Sequence, residues 1–227
     1  MIRHSKRKSF GREWIGSILI LSFILGPTAA FVYAQTVTHG FNAITPGASE
    51  MDKTIGQEQL MVDITHHTGD LTATFRFYNV GSMPCSITDI YIQDGHLCSL
   101  LYLINGEGVV FSIGATPSNL PDAQYAVPPF VATKKFSSDS DPPIMPNGIN
   151  PGEELTAVYS VENGITVYDI EAEVGQGILR IGYHVQAFGD GKSVAFVNSL
   201  EQVPEPATVL LLGLGCLFFL KKSKKNY

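Results

Sequence analysis

The run Leu60-Met61-Val62-Asp63-Ile64-Thr65-His66-His67-Thr68-Gly69-Asp70-Leu71-Thr72-Ala73-Thr74-Phe75-Arg76-Phe77-Tyr78 decides the fold class. Leu60, Val62 and Ile64 alternate with Met61, Asp63 and Thr65, and after His67-Thr68-Gly69-Asp70 the series Leu71, Ala73, Phe75, Phe77 alternates with Thr72, Thr74, Arg76, Tyr78. Successive side chains of a strand point to opposite faces, so a period of two places one set on a core and the other in water. Two such runs separated by a short turn signal form a hairpin with one buried face.

Working outward, further strand-like runs fall at 87–92, 97–104, 109–113, 155–161, 178–188 and 193–198, the last two joined by Gly189-Asp190-Gly191-Lys192. Eight short strands with turn signals between them predict an all-β fold, an antiparallel β-sandwich. One short helix is expected, to cover an edge or end of it. Thr166 is placed to cap it with Asp169 three residues on, Val167, Ile170 and Val174 make one apolar stripe, and Gly175 is the expected stop.

Charge divides the chain into three parts. Arg3, Lys6, Arg7, Lys8 and Arg12 crowd the start and Lys221, Lys222, Lys224 and Lys225 the end, so nine of the 15 basic residues are terminal. Residues 35–200 hold six Lys and Arg against eighteen Asp and Glu, a net charge of −12, where the full chain carries −6. That field repels nucleic acid and anionic membrane surfaces, so no nucleic-acid partner is expected.

The N-terminal basic segment, the apolar run 15–30 broken at Gly26-Pro27, and Val32 and Ala34 ahead of Gln35 fit a signal peptide over 1–34, cleaved by signal peptidase between Ala34 and Gln35. The other reading is an uncleaved anchor, since 15–34 is long enough to cross roughly 30 Å of hydrocarbon; Gly26-Pro27 interrupts the helix and favours cleavage. A folded extracellular domain is expected over 35–202. At the other end, 207–220 is uncharged and would make a helix of about 21 Å at about 1.5 Å per residue, expected as a C-terminal transmembrane helix ahead of the lysines. Both apolar segments carry their positive charge on one side, which places the acidic middle outside by the positive-inside rule.

Pro204-Glu205-Pro206, a short apolar helix and a terminal lysine cluster, in that order at the C-terminus, resemble the PEP-CTERM sorting signal. The same kind of tail also goes by the name of the C-terminal domain of ice-binding proteins, a label that assigns the tail no function. The resemblance implies recognition by exosortase, a membrane-embedded thiol-dependent protease or transpeptidase, with the tail over 203–227 removed and the protein passing from a membrane-anchored intermediate to the cell surface or an exopolysaccharide matrix. Pro204, Glu205 and Pro206 would be the recognition motif, and two prolines fix an extended stretch that a processing enzyme can grip. The run 177–186 and Phe196-Val197-Asn198 also resemble the final strands of many PEP-CTERM ectodomains, a likeness of architecture that implies no activity.

Within 35–202 few residues point to chemistry. Cys85 and Cys98 are a candidate disulfide in an oxidising compartment, closing a loop worth on the order of 3 kcal/mol. His66 and His67, being adjacent on a strand, face opposite ways and cannot share a metal. Arg180, His184 and Gln186 share one strand face, either a polar binding strip or a solvated outer face. Gly189-Asp190-Gly191-Lys192-Ser193 lacks the first glycine of a phosphate loop, because Gln186 stands there. Ser137, Ser138, Asp139, Ser140 and Asp141 lack the glycine and closing glutamate of a calcium loop. Thr36-Val37-Thr38 and Thr72-Ala73-Thr74 lack the repeat of a flat ice-binding array.

The stretch 114–152 holds eight of the 13 prolines, with Tyr125, Phe130 and Phe136 among them, a length of loop that is functional or disordered unless pinned to the domain. No catalytic residue, metal site or cofactor is assigned. The sequence reads as a non-enzymatic exported surface or matrix protein, with signal peptidase, exosortase and exopolysaccharide as partners and transient contact with the inner membrane through 207–220. The alternative is a carbohydrate-binding module or adhesin held in the envelope by an uncleaved C-terminal helix.

Overall fold

The computed structural model describes residues 34–67, 70–93 and 95–202. The expected signal segment, apart from Ala34, and the expected tail with Pro204, Glu205, Pro206 and the 207–220 helix lie outside these residues. Ten strands follow along the described residues: β1 (Ala34–Ala43), β2 (Leu60–His67), β3 (Thr72–Asn79), β4 (Ser86–Gln93), β5 (Leu97–Asn105), β6 (Phe111–Ile113), β7 (Ser138–Ser140), β8 (Glu154–Val161), β9 (Arg180–Gln186) and β10 (Val194–Gln202). The helices are α1 (Glu50–Gln59), α2 (Ile144–Asn147) and α3 (Val167–Gln176).

The expected hairpin is β2 and β3, with Leu60 opposite Asn79 and Ile64 opposite Phe75, and its alternating apolar set is buried. The expected sandwich is not what forms. All ten strands belong to a single sheet in the order β5-β8-β3-β2-β1-β10-β9-β4-β7-β6, and each neighbouring pair runs antiparallel. The two end strands, β5 and β6, are consecutive in the chain and meet across the seam. Asn105 closes it with its amide: Oδ1 accepts from the Phe111 N–H at 2.9 Å and Nδ2 donates to the Phe111 carbonyl at 3.3 Å. The sheet therefore rolls into a nearly closed barrel, which conceals most of the edge that an open sheet exposes.

Large aromatic side chains fill the barrel. Phe41 stacks on Tyr183 with ring centres 3.9 Å apart, and Phe77 meets the same tyrosine edge-on at 6.0 Å. Phe75 packs edge-on against Tyr159 at 4.9 Å. A buried hydroxyl must find a partner. Tyr183 donates to the Met61 carbonyl at 3.0 Å and Tyr159 to the Phe136 carbonyl at 3.1 Å.

Helices plug the two ends, α1 through Ile55 and α3 through Ile170 and Val174. The α3 start is as expected: Thr166 accepts from the Asp169 N–H, and the Asp169 carboxylate accepts from the Thr166 N–H at 2.8 Å. Its stop is two residues later than expected, at Gly177, whose φ of 70° is left-handed and suits glycine. Helix α1 was not expected. Ser49 caps it by accepting from the Asp52 N–H at 3.1 Å, and its last residue, Gln59, receives the Ser82 and Met83 N–H groups at 3.0 and 2.8 Å.

No helix of the described residues is long and apolar enough to cross a membrane. The expected fold is corrected on that point: the flanking signal and transmembrane helices, and with them the membrane-anchored intermediate and the inner-membrane contact through 207–220, have no counterpart among the described residues, and 1–33 and 203–227 lie outside them.

The expected Cys85–Cys98 disulfide is absent as well, and both thiols are free. Cys85 lies just before β4 and Cys98 near the start of β5, so the chain crosses the barrel between them, roughly 25 Å at about 3.3 Å per residue. A disulfide needs Cα atoms within about 7 Å. Cys85 is buried beside α1, where Gln59 Nε2 and Asn79 Nδ2 each donate to its sulfur at 3.4 Å, whereas Cys98 is exposed.

Candidate functional site

The proline-rich stretch gives the barrel a second layer. Leu120, Ala123, Ala126 and Phe130 pack on the outer face of the wall against Tyr91 of β4 and Ala195 and Val197 of β10. Strand β4 is therefore covered on both sides. Its Tyr91 hydroxyl donates to the Pro117 carbonyl at 3.0 Å, and Thr45 donates to Asp122 at 2.8 Å while accepting from the Ala195 N–H at 2.9 Å. Gly182 in β9 permits the approach, since a Cβ there would stand 2.8 Å from a Leu120 methyl and 3.2 Å from Phe130. Of the three aromatic residues, Phe130 and Phe136 are buried and pin the stretch, while Tyr125 is exposed.

That cover overturns the solvated reading of the β9 outer face. Arg180 is 4% exposed. Its Nη1 donates to the Pro128 carbonyl at 2.7 Å and the Pro129 carbonyl at 3.4 Å, and its guanidinium carbon lies 5.4 Å from the centre of the Phe130 ring. Burial lowers its pKa below the usual arginine value. Lys53, Arg76 and Lys192 each have a carboxylate partner; Arg180 has none among the described residues. His184 is engaged elsewhere, since its Nδ1 lies 2.8 Å from Asp89 Oδ2, a carboxylate that also accepts from Thr88 at 2.8 Å. Gln186 reaches the same ring at 3.4 Å.

Arg180 lines a cavity of about 230 Å³ between the proline-rich stretch, the end of β1, β10 and the C-terminal turn of α3. Ile44, Ala126, Val127, Pro128 and Val197 form its apolar wall, and Asn42, Gln176 and Asn198 bring amides to it. The α3 carbonyls at Glu173 and Val174 accept from the N–H groups of Gly177, Ile178 and Leu179, and Arg180 is the one charged residue among the described residues that line the cavity. Sequence reading named Arg180 but not the cavity, because the residues that build it come from four separated parts of the chain.

The other candidates are structural where the structure describes them. His66 Nδ1 lies 2.7 Å from the Thr72 carbonyl and Nε2 2.9 Å from that of Ile165, tying β2 to the segment before α3. In the 189–193 turn Asp190 accepts from the Lys192 N–H at 3.0 Å. Asp139 accepts from the Thr116 N–H at 3.2 Å, and Asp141 from the Ser112 hydroxyl at 3.0 Å. Thr36 and Thr65 pair through their hydroxyls at 2.7 Å on the outer wall. Among the described residues no group of three His, Cys, Asp or Glu is placed to hold a metal. Ala34 and Gln35 open β1, opposite His67 and His66.

No curated protein and no solved structure matches the chain. Strand β10 ends at Gln202, and residues 202–225 match the family described as the PEP-CTERM protein-sorting motif. The chain thus carries, starting at the end of its last strand, the sorting signal of an exosortase-processed surface or secreted protein.

Proposed function

We propose that the barrel is the cargo of this sorting signal: a non-enzymatic protein delivered outside the cell by signal peptidase and exosortase and retained with exopolysaccharide. The observation that carries the reading is the sorting motif at 202–225, contiguous with the strand that completes the barrel wall. A processing enzyme acting beyond Gln202 would remove nothing that β1 or β9 pairs with. The acidic domain supports export to a hydrated matrix, since a net charge of −12 over 35–200 favours solubility.

Intact mass spectrometry of the protein in the medium and in the polysaccharide fraction tests the proposal. The expected species begins at Gln35 and ends near the Pro204-Glu205-Pro206 motif. Replacing those three residues by alanine should keep the tail on and reduce the released amount at least tenfold. A released protein that still ended at Tyr227 would overturn the reading.

A further inference from the structure

A buried guanidinium without an acid is an unusual thing for a domain with three times as many acidic as basic residues to keep. Taking a charge out of water is costly unless an opposite charge or a full set of hydrogen bonds replaces the lost hydration. Two proline carbonyls engage Nη1. No described residue accepts from Nε or Nη2, and the guanidinium is at the wall of a cavity rather than inside packed core.

We propose that this cavity is a binding site for a carboxylate-bearing sugar, a uronic acid unit of an acidic polysaccharide, with Arg180 taking the carboxylate. The assignment rests on the matrix reading above and names the ligand class of that retention. A guanidinium offers its donors in a planar fork that matches a carboxylate in two parallel hydrogen bonds. The surrounding net charge of −12 raises the cost of a second negative charge, which favours a monoanion over a phosphate. At about 230 Å³ the space is below the roughly 300 Å³ at which drug-sized sites begin, so it takes one ring and not a strand of polymer. Its walls suit a sugar ring: Ile44, Val127 and Val197 meet C–H groups, and the amides of Asn42 and Gln176 meet hydroxyls.

Isothermal titration calorimetry with sodium D-glucuronate, using the protein as recovered from expressing cells, tests the site, with D-glucose and sodium acetate as controls. Glucuronate should bind at least tenfold more tightly than either. Arg180→Lys, which keeps the charge but loses the fork, should weaken it about tenfold. Because Arg180 also clamps the proline-rich stretch, a second variant is needed that leaves the packing alone. Val127 is 93% exposed at the cavity rim, so Val127→Glu should leave the melting temperature unchanged and abolish glucuronate binding.

Equal binding of glucose would overturn the role of Arg180, equal binding of acetate would overturn the sugar, and undiminished binding by Val127→Glu would overturn the location. Retention with polysaccharide is measured in parallel. If the wild type is retained and Val127→Glu is retained equally, the site is wrong and the matrix reading stands. If the wild type itself is not retained, the matrix reading fails whatever the titration gives.

Discussion

His39 stands in β1 opposite Val62, on the inward face of the wall, 1% exposed and with no hydrogen-bond partner among the described residues for either ring nitrogen. Burial without an acceptor disfavours the imidazolium and lowers the pKa from 6.5 to about 4. Between those two values the unfolded chain binds a proton that the folded chain refuses, so stability falls as pH drops through the window and levels off below it. The loss is on the order of 3 kcal/mol. Urea unfolding of wild type and His39→Leu from pH 4 to 7.5 should show a shallower decline for the variant, and parallel curves would refute the assignment. The two described cysteines differ just as sharply. Burial raises the Cys85 pKa, while Cys98 is open to solvent. Iodoacetamide should label Cys98 in the native protein and Cys85 only after denaturation, as read by peptide mass mapping, and no peptide should contain the pair crosslinked.

At the scale of elements, α3 was legible because its start is written in side chains: Thr166 and Asp169 form a reciprocal cap and three apolar residues follow at helical spacing. Removing the cap with Thr166→Ala should cost about 1 kcal/mol in thermal or urea unfolding. Helix α1 gave no comparable signal, since Glu50–Gln59 is mostly polar and Ile55 is its one buried apolar side chain. What holds it is tertiary. Its Gly56 faces the Phe196 ring so closely that a Cβ would overlap it, and Gln59 anchors the 82–85 turn.

The outer face of β9 misleads a reader of sequence for a related reason. Arg180, Gly182, His184 and Gln186 have the composition of a solvated face, and only the fold lays the proline-rich stretch over them. Gly182→Val should push Leu120 and Phe130 off the wall and destabilise by about 1–3 kcal/mol. Limited proteolysis should then cut within 114–136, where the wild type resists. Equal resistance would show that the stretch does not depend on this contact.

For the molecule as a whole, the period of two was enough to find the strands but not their partners. Alternation in β3 looks the same whether its neighbours are β2 and β8 or two strands of a sandwich. Closure depends instead on long-range pairs, above all β10, which joins the N-terminal β1 to β9 and so links the first strand of the domain to its last turns. Its register marks where the fold ends: Val194 to Val197 pair with β9, and Phe196 to Gln202 with β1.

Two truncations separate the barrel from its sorting signal. A chain ending at Gln202 keeps every β10 pair, so its melting temperature should match the full chain within about 2 °C, because exposed termini contribute little to stability. A chain ending at Gly191 leaves β1 and β9 with open edges and exposes the apolar interior that Phe196 covers, so it should fail to fold and should aggregate. If the shorter protein melted cooperatively, the barrel would not need its last strand; if the longer one lost several degrees, residues beyond 202 would belong to the fold as well as to its sorting.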